Sequence, residues 1–207
     1  MSTNESNVNL SARDYKLMID KSGSMGTKDQ PGGTSRWNAA KEMTISLARK
    51  ITEFDADGIE VITFNNSSKE TKGVKDENEV ERIFKEEEPN YGTNLYDPLK
   101  KVLDDHLANV ATNKPLTVLI ITDGEPERKE DVKRLIADCT TKMTADEQLA
   151  LQFVQIGNNA EARAFLKELD DELVPKYGAK FDIVDTKNDA DMANLTIVDL
   201  LTAAVTD

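Results

Sequence analysis

This sequence is nearly without two side chains on which many hydrolytic and redox sites are built: its 207 residues include 1 cysteine and 1 histidine. With Cys139 alone, an intramolecular disulfide is excluded, so the fold must rest on its own core, and a reducing compartment is its expected setting. The histidine, His106, lies inside a helical pattern over 98–110 and precedes Asp123, whereas hydrolases with serine on a strand-to-helix turn place histidine last in their triad. Its neighbours Asp104, Asp105 and Asn109 predict an exposed or half-buried ring. Long apolar runs are missing too: nowhere do about 18 apolar residues follow one another, as a membrane span requires. From Met1 to Ser11 there is neither a basic stretch nor the apolar segment of a secretory signal. A soluble cytoplasmic protein with no membrane partner is the expectation.

Positive charge is in short supply. Lys and Arg number 26 against 39 Asp and Glu, a formal net charge of -13. A polyphosphate backbone would be repelled, so nucleic acid is not an expected partner, and a cation is the more natural guest. No Gly-x-x-x-x-Gly-Lys loop is present to cradle a nucleotide. A helix-loop-helix calcium site starting at Asp20 would want glycine at its sixth place and glutamate at its twelfth, where Met25 and Pro31 stand.

What is there reads as one domain, 14–207, behind a polar tail, 1–13, too poor in apolar residues to offset the entropy of ordering it. Short apolar runs at 15–19, 59–64, 116–121, 149–156 and 181–184 alternate with longer amphipathic ones at 37–51, 98–110, 132–143, 160–173 and 192–205. Val118-Leu119-Ile120-Ile121 is apolar on both faces, which a strand tolerates only when helices cover both sides. The fold class predicted is therefore α/β, a doubly wound and mostly parallel sheet with helices on both faces. The run 69–74 follows 59–64 after a short Asn65-Asn66-Ser67-Ser68 turn, which permits only an antiparallel hairpin, and Lys69 and Lys72 suit an edge strand. The acidic run Glu86-Glu87-Glu88 reads as a solvated face. Trp37 is expected in the core or on a helix face.

Three segments put oxygen-bearing side chains at strand ends. Asp20-Lys21-Ser22-Gly23-Ser24-Met25-Gly26 leaves the first strand and enters a long loop through Pro31, Gly32 and Gly33; such loops are usually functional or mobile. Alternate positions Asp20, Ser22 and Ser24 can face one side, giving a carboxylate and two hydroxyls, which are hard ligands of the kind magnesium or manganese accepts. In Tyr91-Gly92-Thr93-Asn94-Leu95-Tyr96-Asp97-Pro98, Asp97 and Pro98 read as the cap and first position of a helix, leaving Thr93 in the loop. In Ile120-Ile121-Thr122-Asp123-Gly124 a buried strand stops at Asp123. Ligands of open parallel sheets bind outside the carboxyl ends of the strands, where strand order reverses, and the strands ending in Asp20 and Asp123 are expected to flank that point. Each piece alone is an ordinary turn or cap; their joint occurrence carries the reading.

Together, Asp20-x-Ser22-x-Ser24, Thr93 and Asp123 resemble the metal-ion-dependent adhesion site of von Willebrand factor A (VWA) domains, and the order of elements is similar to that family over about 15–205. The resemblance implies a stand-alone intracellular domain in which Ser22, Ser24 and Thr93 touch a magnesium ion (or Mn2+ or Ca2+) through hydroxyls. Asp20 and Asp123 would hold it mainly through water. It also implies a protein partner that supplies a Glu or Asp carboxylate to the open coordination place, with no catalysis. Glu125 is close enough to influence the local field. Some relatives shift their last helix, here 192–205. A monomer is the expectation. The alternative is a metal-assisted phosphatase or hydrolase on the same residues: Asp20 or Ser24 would be the nucleophile, but a second aspartate is missing at position 22, where Ser22 stands.

Overall fold

The computed structural model describes residues 9–53, 55–192 and 195–206. Six strands form one sheet: β1 (Asp14–Asp20), β2 (Ile59–Phe64), β3 (Ser68–Val74), β4 (Leu116–Thr122), β5 (Leu149–Gln155) and β6 (Val184–Asn188). Their order is β3-β2-β1-β4-β5-β6, and every pair is parallel except β2 with β3. The helices are α1 (Arg36–Thr52), α2 (Glu77–Glu86), α3 (Tyr96–Leu107), α4 (Lys129–Thr140), α5 (Ala160–Asp171), α6 (Leu173–Tyr177), α7 (Asp189–Met192) and α8 (Ile197–Thr206). This is the doubly wound sheet with an antiparallel edge that the apolar patterning predicts.

Two cores follow from the alternation along the strands. Leu116, Val118 and Ile120 of β4 point to one face, where they meet Leu99 and Leu103 of α3, Ile136 of α4 and Phe165 of α5. Leu119 and Ile121 point to the other, against Leu47 of α1, Val80 of α2 and Leu200 of α8. All seven residues of β4 are buried, and at about 1.5–3 kcal/mol for each large aliphatic side chain this central strand fixes the register of its neighbours. Trp37 packs in the second core with its ring centroid 4.2 Å from that of Phe84. Among the described residues no helix is long and apolar enough to cross a membrane.

Several local expectations are corrected. Of the tail expected to be loose, Met1 to Val8 lie outside the described residues, but its end is packed. Leu10–Ala12 form a 3-10 turn, and Arg13 is buried, donating to the Thr117 hydroxyl (2.8 Å) and to the carbonyls of Glu147 (2.7 Å) and Leu116 (3.0 Å). The last strand runs three residues later than its apolar signal. It is an edge strand paired only with β5 and takes the polar sequence Val184–Asn188, while Ile183 and Phe181 pack as loop residues. The terminal helix starts at Ile197, where Thr196 and Asp199 cap each other reciprocally: each side chain accepts the other's amide (3.2 and 2.9 Å). Helix α3 begins at Tyr96, ahead of Asp97-Pro98. His106 is buried, its Nε2 donating to the Gln148 carbonyl (2.9 Å), and burial lowers its pKa, so the ring is a neutral structural donor.

Candidate metal centre

Strands β1 and β4 are adjacent and in register, with Ile19 beside Ile121, so Asp20 and the Thr122-Asp123 pair leave the same end of the sheet side by side. Asp20 is fully buried; its Oδ1 accepts the Ser22 amide (2.7 Å) and its Oδ2 accepts the Thr122 hydroxyl (2.7 Å). A 3-10 turn over Gly23–Gly26, anchored by the buried Met25, then brings the Ser22 and Ser24 hydroxyls to 3.1 Å. Ser24 Oγ donates in turn to Asp123 Oδ1 (2.8 Å). Four of the five sequence-predicted residues are thus linked by hydrogen bonds, from the buried Asp20 through the Ser22 amide, the Ser22 hydroxyl and the exposed Ser24 to the buried Asp123.

Thr93 reaches the same sheet edge by a different route. Its carbonyl accepts the Glu127 amide (3.1 Å), the preceding Tyr91 carbonyl accepts the Gly23 amide (3.1 Å), and the Gly92 amide donates to Asn66 Oδ1 (3.1 Å). These bonds stitch its loop to the loops after β1, β2 and β4. Among the described residues the Thr93 hydroxyl makes no hydrogen bond to the other four. The Glu127 carboxylate lies against Gly92, where a Cβ would displace it. Tyr91 has φ 61 and is the one non-glycine residue described with a left-handed backbone; its ring stands 76% exposed beside Thr93. Such a conformation costs a tyrosine about 1–2 kcal/mol, and strain of this kind clusters at binding sites.

The donor set fits a small hard cation. Octahedral magnesium with ligands at about 2.0–2.1 Å puts neighbouring ligand oxygens about 3.0 Å apart, close to the 3.1 Å between Ser22 Oγ and Ser24 Oγ, and Asp123 Oδ1 stands within hydrogen-bond reach of Ser24, where it can hold a bound water. Among the described residues no three His, Cys, Asp or Glu side chains gather as a metal-holding group, so the chemistry on offer is hydroxyl-rich rather than the nitrogen and sulfur of a zinc site. Burial pushes the Asp20 carboxyl up to about 6, the Thr122 and Ser22 hydrogen bonds pull it back, and the Asp123 charge adds to the rise. A buried carboxylate held above its ordinary range is one whose charged form gains from a nearby cation.

Sequence reasoning missed Arg36. Its Nη1 donates to Asp123 Oδ2 (2.8 Å), while Nε (3.0 Å) and Nη2 (2.5 Å) clamp Asp29. Arg36 is the first residue of α1, behind the Ser35 cap. A cation in a helix's first turn opposes the macrodipole, and that misplacement was the available signal of a carboxylate nearby. The acidic run was misread in part: the Glu87 side chain is 11% exposed and pairs with Lys21, next to Asp20, and with Lys69 (3.1 Å). Glu125 pairs with Lys129. His106 lies by Gln148 at the amino end of β5, the opposite end of the sheet from Ser24, so the two do not form a catalytic pair.

The order and pairing of the strands are those of a VWA domain, and the sequence agrees. Residues 15–176 match the family described as "Rv0959-like protein, vWA domain", so the chain belongs to that family, one of protein-interaction modules. Among solved structures, the SpRpn10 VWA domain is similar at 14% identity with a TM-score of 0.60, covering 85% of this chain and 87% of that one. The D319A mutant of the PilB minor pilin from Streptococcus sanguinis (12% identity, TM-score 0.59) matches 94% of this chain, which spans 60% of the pilin's length. A von Willebrand factor type A protein from Catenulispora acidiphila (18% identity, TM-score 0.55) matches 93% of this chain and 42% of its own. At these identities the likeness is one of fold. No curated protein sequence matches the chain.

Proposed function

We propose that this domain binds a partner protein through a divalent cation, magnesium by preference, held by Asp20, Ser22, Ser24, Thr93 and Asp123. The observation that carries the reading is the convergence of Ser22 Oγ and Ser24 Oγ, 3.1 Å apart, with Asp123 Oδ1 beside them and the buried Asp20 behind. A bound ion would supply an electrophilic face for a Glu or Asp carboxylate of the partner. The chain's own part is to keep that face open: neutral hydroxyls leave most of an ion's charge uncompensated, and Asp20 stays turned toward Thr122 and the Ser22 amide. Tyr91, exposed beside Thr93, supplies a rigid aromatic contact at the rim of the interface. A cytoplasmic, monomeric domain with no nucleic-acid partner belongs to the same reading, supported by the net charge of -13 and the buried thiol of Cys139.

A phosphatase or hydrolase built on these residues has less support, because both Asp20 oxygens are engaged and Ser24 donates to a carboxylate with no histidine beside it. The test is partner capture with and without chelator, alongside Asp20→Ala and Asp123→Ala proteins, plus an assay of metal-loaded protein on aryl phosphates and esters. Capture that needs the ion and both aspartates, without Asp20-dependent turnover, is expected. Undiminished capture in chelator and in both variants contradicts the proposal.

A further inference from the structure

A cation belonging to the chain itself already sits on the candidate centre. The Arg36 side chain is 11% exposed, and its donors go to carboxylates: Asp123 Oδ2 at 2.8 Å and both oxygens of Asp29. The space around it is shaped for a guanidinium. Gly157, just beyond β5, has φ 82, and a Cβ there would meet Arg36 Nε at 2.7 Å and Cζ at 2.9 Å. That glycine is itself pinned by Asp189, whose Oδ2 accepts its amide (2.7 Å). The Asp29 carboxylate first, and Asp123 with it, raises the Arg36 pKa, so the group is always charged.

The consequence is a division of labour within one carboxylate. Asp123 gives Oδ2 to the arginine and turns Oδ1 toward Ser24 and the proposed ion position. Building on the metal-binding reading above, we propose that Arg36 is a positioning residue that tunes the site. It fixes Asp123 by one oxygen, stands in as its counter-charge when no ion is bound, and by its own charge lowers the affinity for the ion. A site weakened in this way keeps a bound cation short of negative charge and therefore receptive to a carboxylate from outside. Asp29 sets how strongly Arg36 acts, since its charge offsets part of the guanidinium's.

The test is magnesium titration by calorimetry, with thermal unfolding in chelator and in saturating magnesium, on wild type, Arg36→Gln, Arg36→Lys and Asp29→Asn. Arg36→Gln keeps a polar side chain and removes the charge; it is expected to bind magnesium on the order of tenfold tighter and to gain more in Tm from the ion, although its ion-free Tm is lower. Arg36→Lys keeps the charge and stays near wild type in affinity. Asp29→Asn, at an exposed position, moves the other way and binds several-fold more weakly. A purely structural arginine predicts instead that removing it loosens the site, so a folded Arg36→Gln protein that binds magnesium no tighter than wild type overturns the inference. If that variant does not fold, an Asp29→Asn protein with undiminished affinity does the same. Absence of magnesium binding in all four proteins, wild type included, removes the metal-binding reading itself, a result distinct from either.

Discussion

Two arginine side chains, the buried Arg13 and the half-buried Arg36, stand at opposite ends of one sheet, and they are held in opposite ways. Arg13, at the amino end, is 4% exposed and donates only to neutral oxygens, the Thr117 hydroxyl and two carbonyls. Burial lowers its pKa. Arg36, at the carboxyl end, donates to charged oxygens of Asp29 and Asp123, and its pKa is raised. Its partners are neutral oxygens at the start of β4 and just ahead of β5, so Arg13 is a structural clamp between them. Charged partners are ones a second cation can share, so Arg36 marks the end of the sheet where the fold leaves chemistry unfinished.

This contrast makes predictions that can be ordered by size. Arg13→Ala leaves three acceptors without their charged donor and is expected to destabilise the fold by about 3 kcal/mol or more. The loss should be the same in chelator and in magnesium when followed by denaturant unfolding. A magnesium-dependent loss would erase the distinction between the two ends. Next comes the ion itself: at about a hundred times its Kd, magnesium should add about 2.7 kcal/mol of stability to wild type, and Asp20→Ala or Asp123→Ala should abolish that gain. Persistence of the gain in both variants would move the site elsewhere.

The Asp20 charge sharpens the same point through pH. Its folded pKa of about 6 lies above the ordinary 3.8, so the ion-free fold holds a proton that the unfolded chain has released. Its contribution is full stability below the unfolded value, lost as pH rises from about 4 through 6, by up to about 3 kcal/mol. Relative to Asp20→Asn, ion-free wild type should therefore gain stability as pH falls from 7 to 4, and parallel pH curves for the two proteins would refute this. Smallest is Tyr91→Gly, which relieves a left-handed backbone and should raise stability by about 1 kcal/mol while weakening partner capture. If capture is unchanged, the exposed ring is not part of the interface.

The fold was legible where burial is two-sided or strictly alternating. Val118 to Ile121 declares a central strand, and the short turn before Lys69 dictates the hairpin. It was less legible at β6, where an edge strand carries polar residues and the nearby apolar residues belong to a loop. His106 looked solvated among Asp104, Asp105 and Asn109, yet it continues the inward stripe of Leu99, Val102 and Leu103, three or four residues apart on α3. At the candidate site, Asp20, Ser22, Ser24 and Asp123 could be read because local spacing and strand ends fix them. Arg36 and Glu87 were harder to read: the place of Arg36 in a helix's first turn hints at a carboxylate, but which site carboxylate it meets, and which lysine Glu87 meets, are settled only across elements, 87 and 66 residues away.

The most direct test is a crystal structure of the chelator-stripped protein soaked in manganese, whose anomalous signal locates the ion without assumption. One manganese ion is expected between Ser22 Oγ and Ser24 Oγ, with the Thr93 hydroxyl drawn into contact, Asp20 and Asp123 close around it, and Arg36 still on the far oxygen of Asp123. Saturating manganese with no anomalous peak at that position, or a peak elsewhere on the protein, would contradict the account.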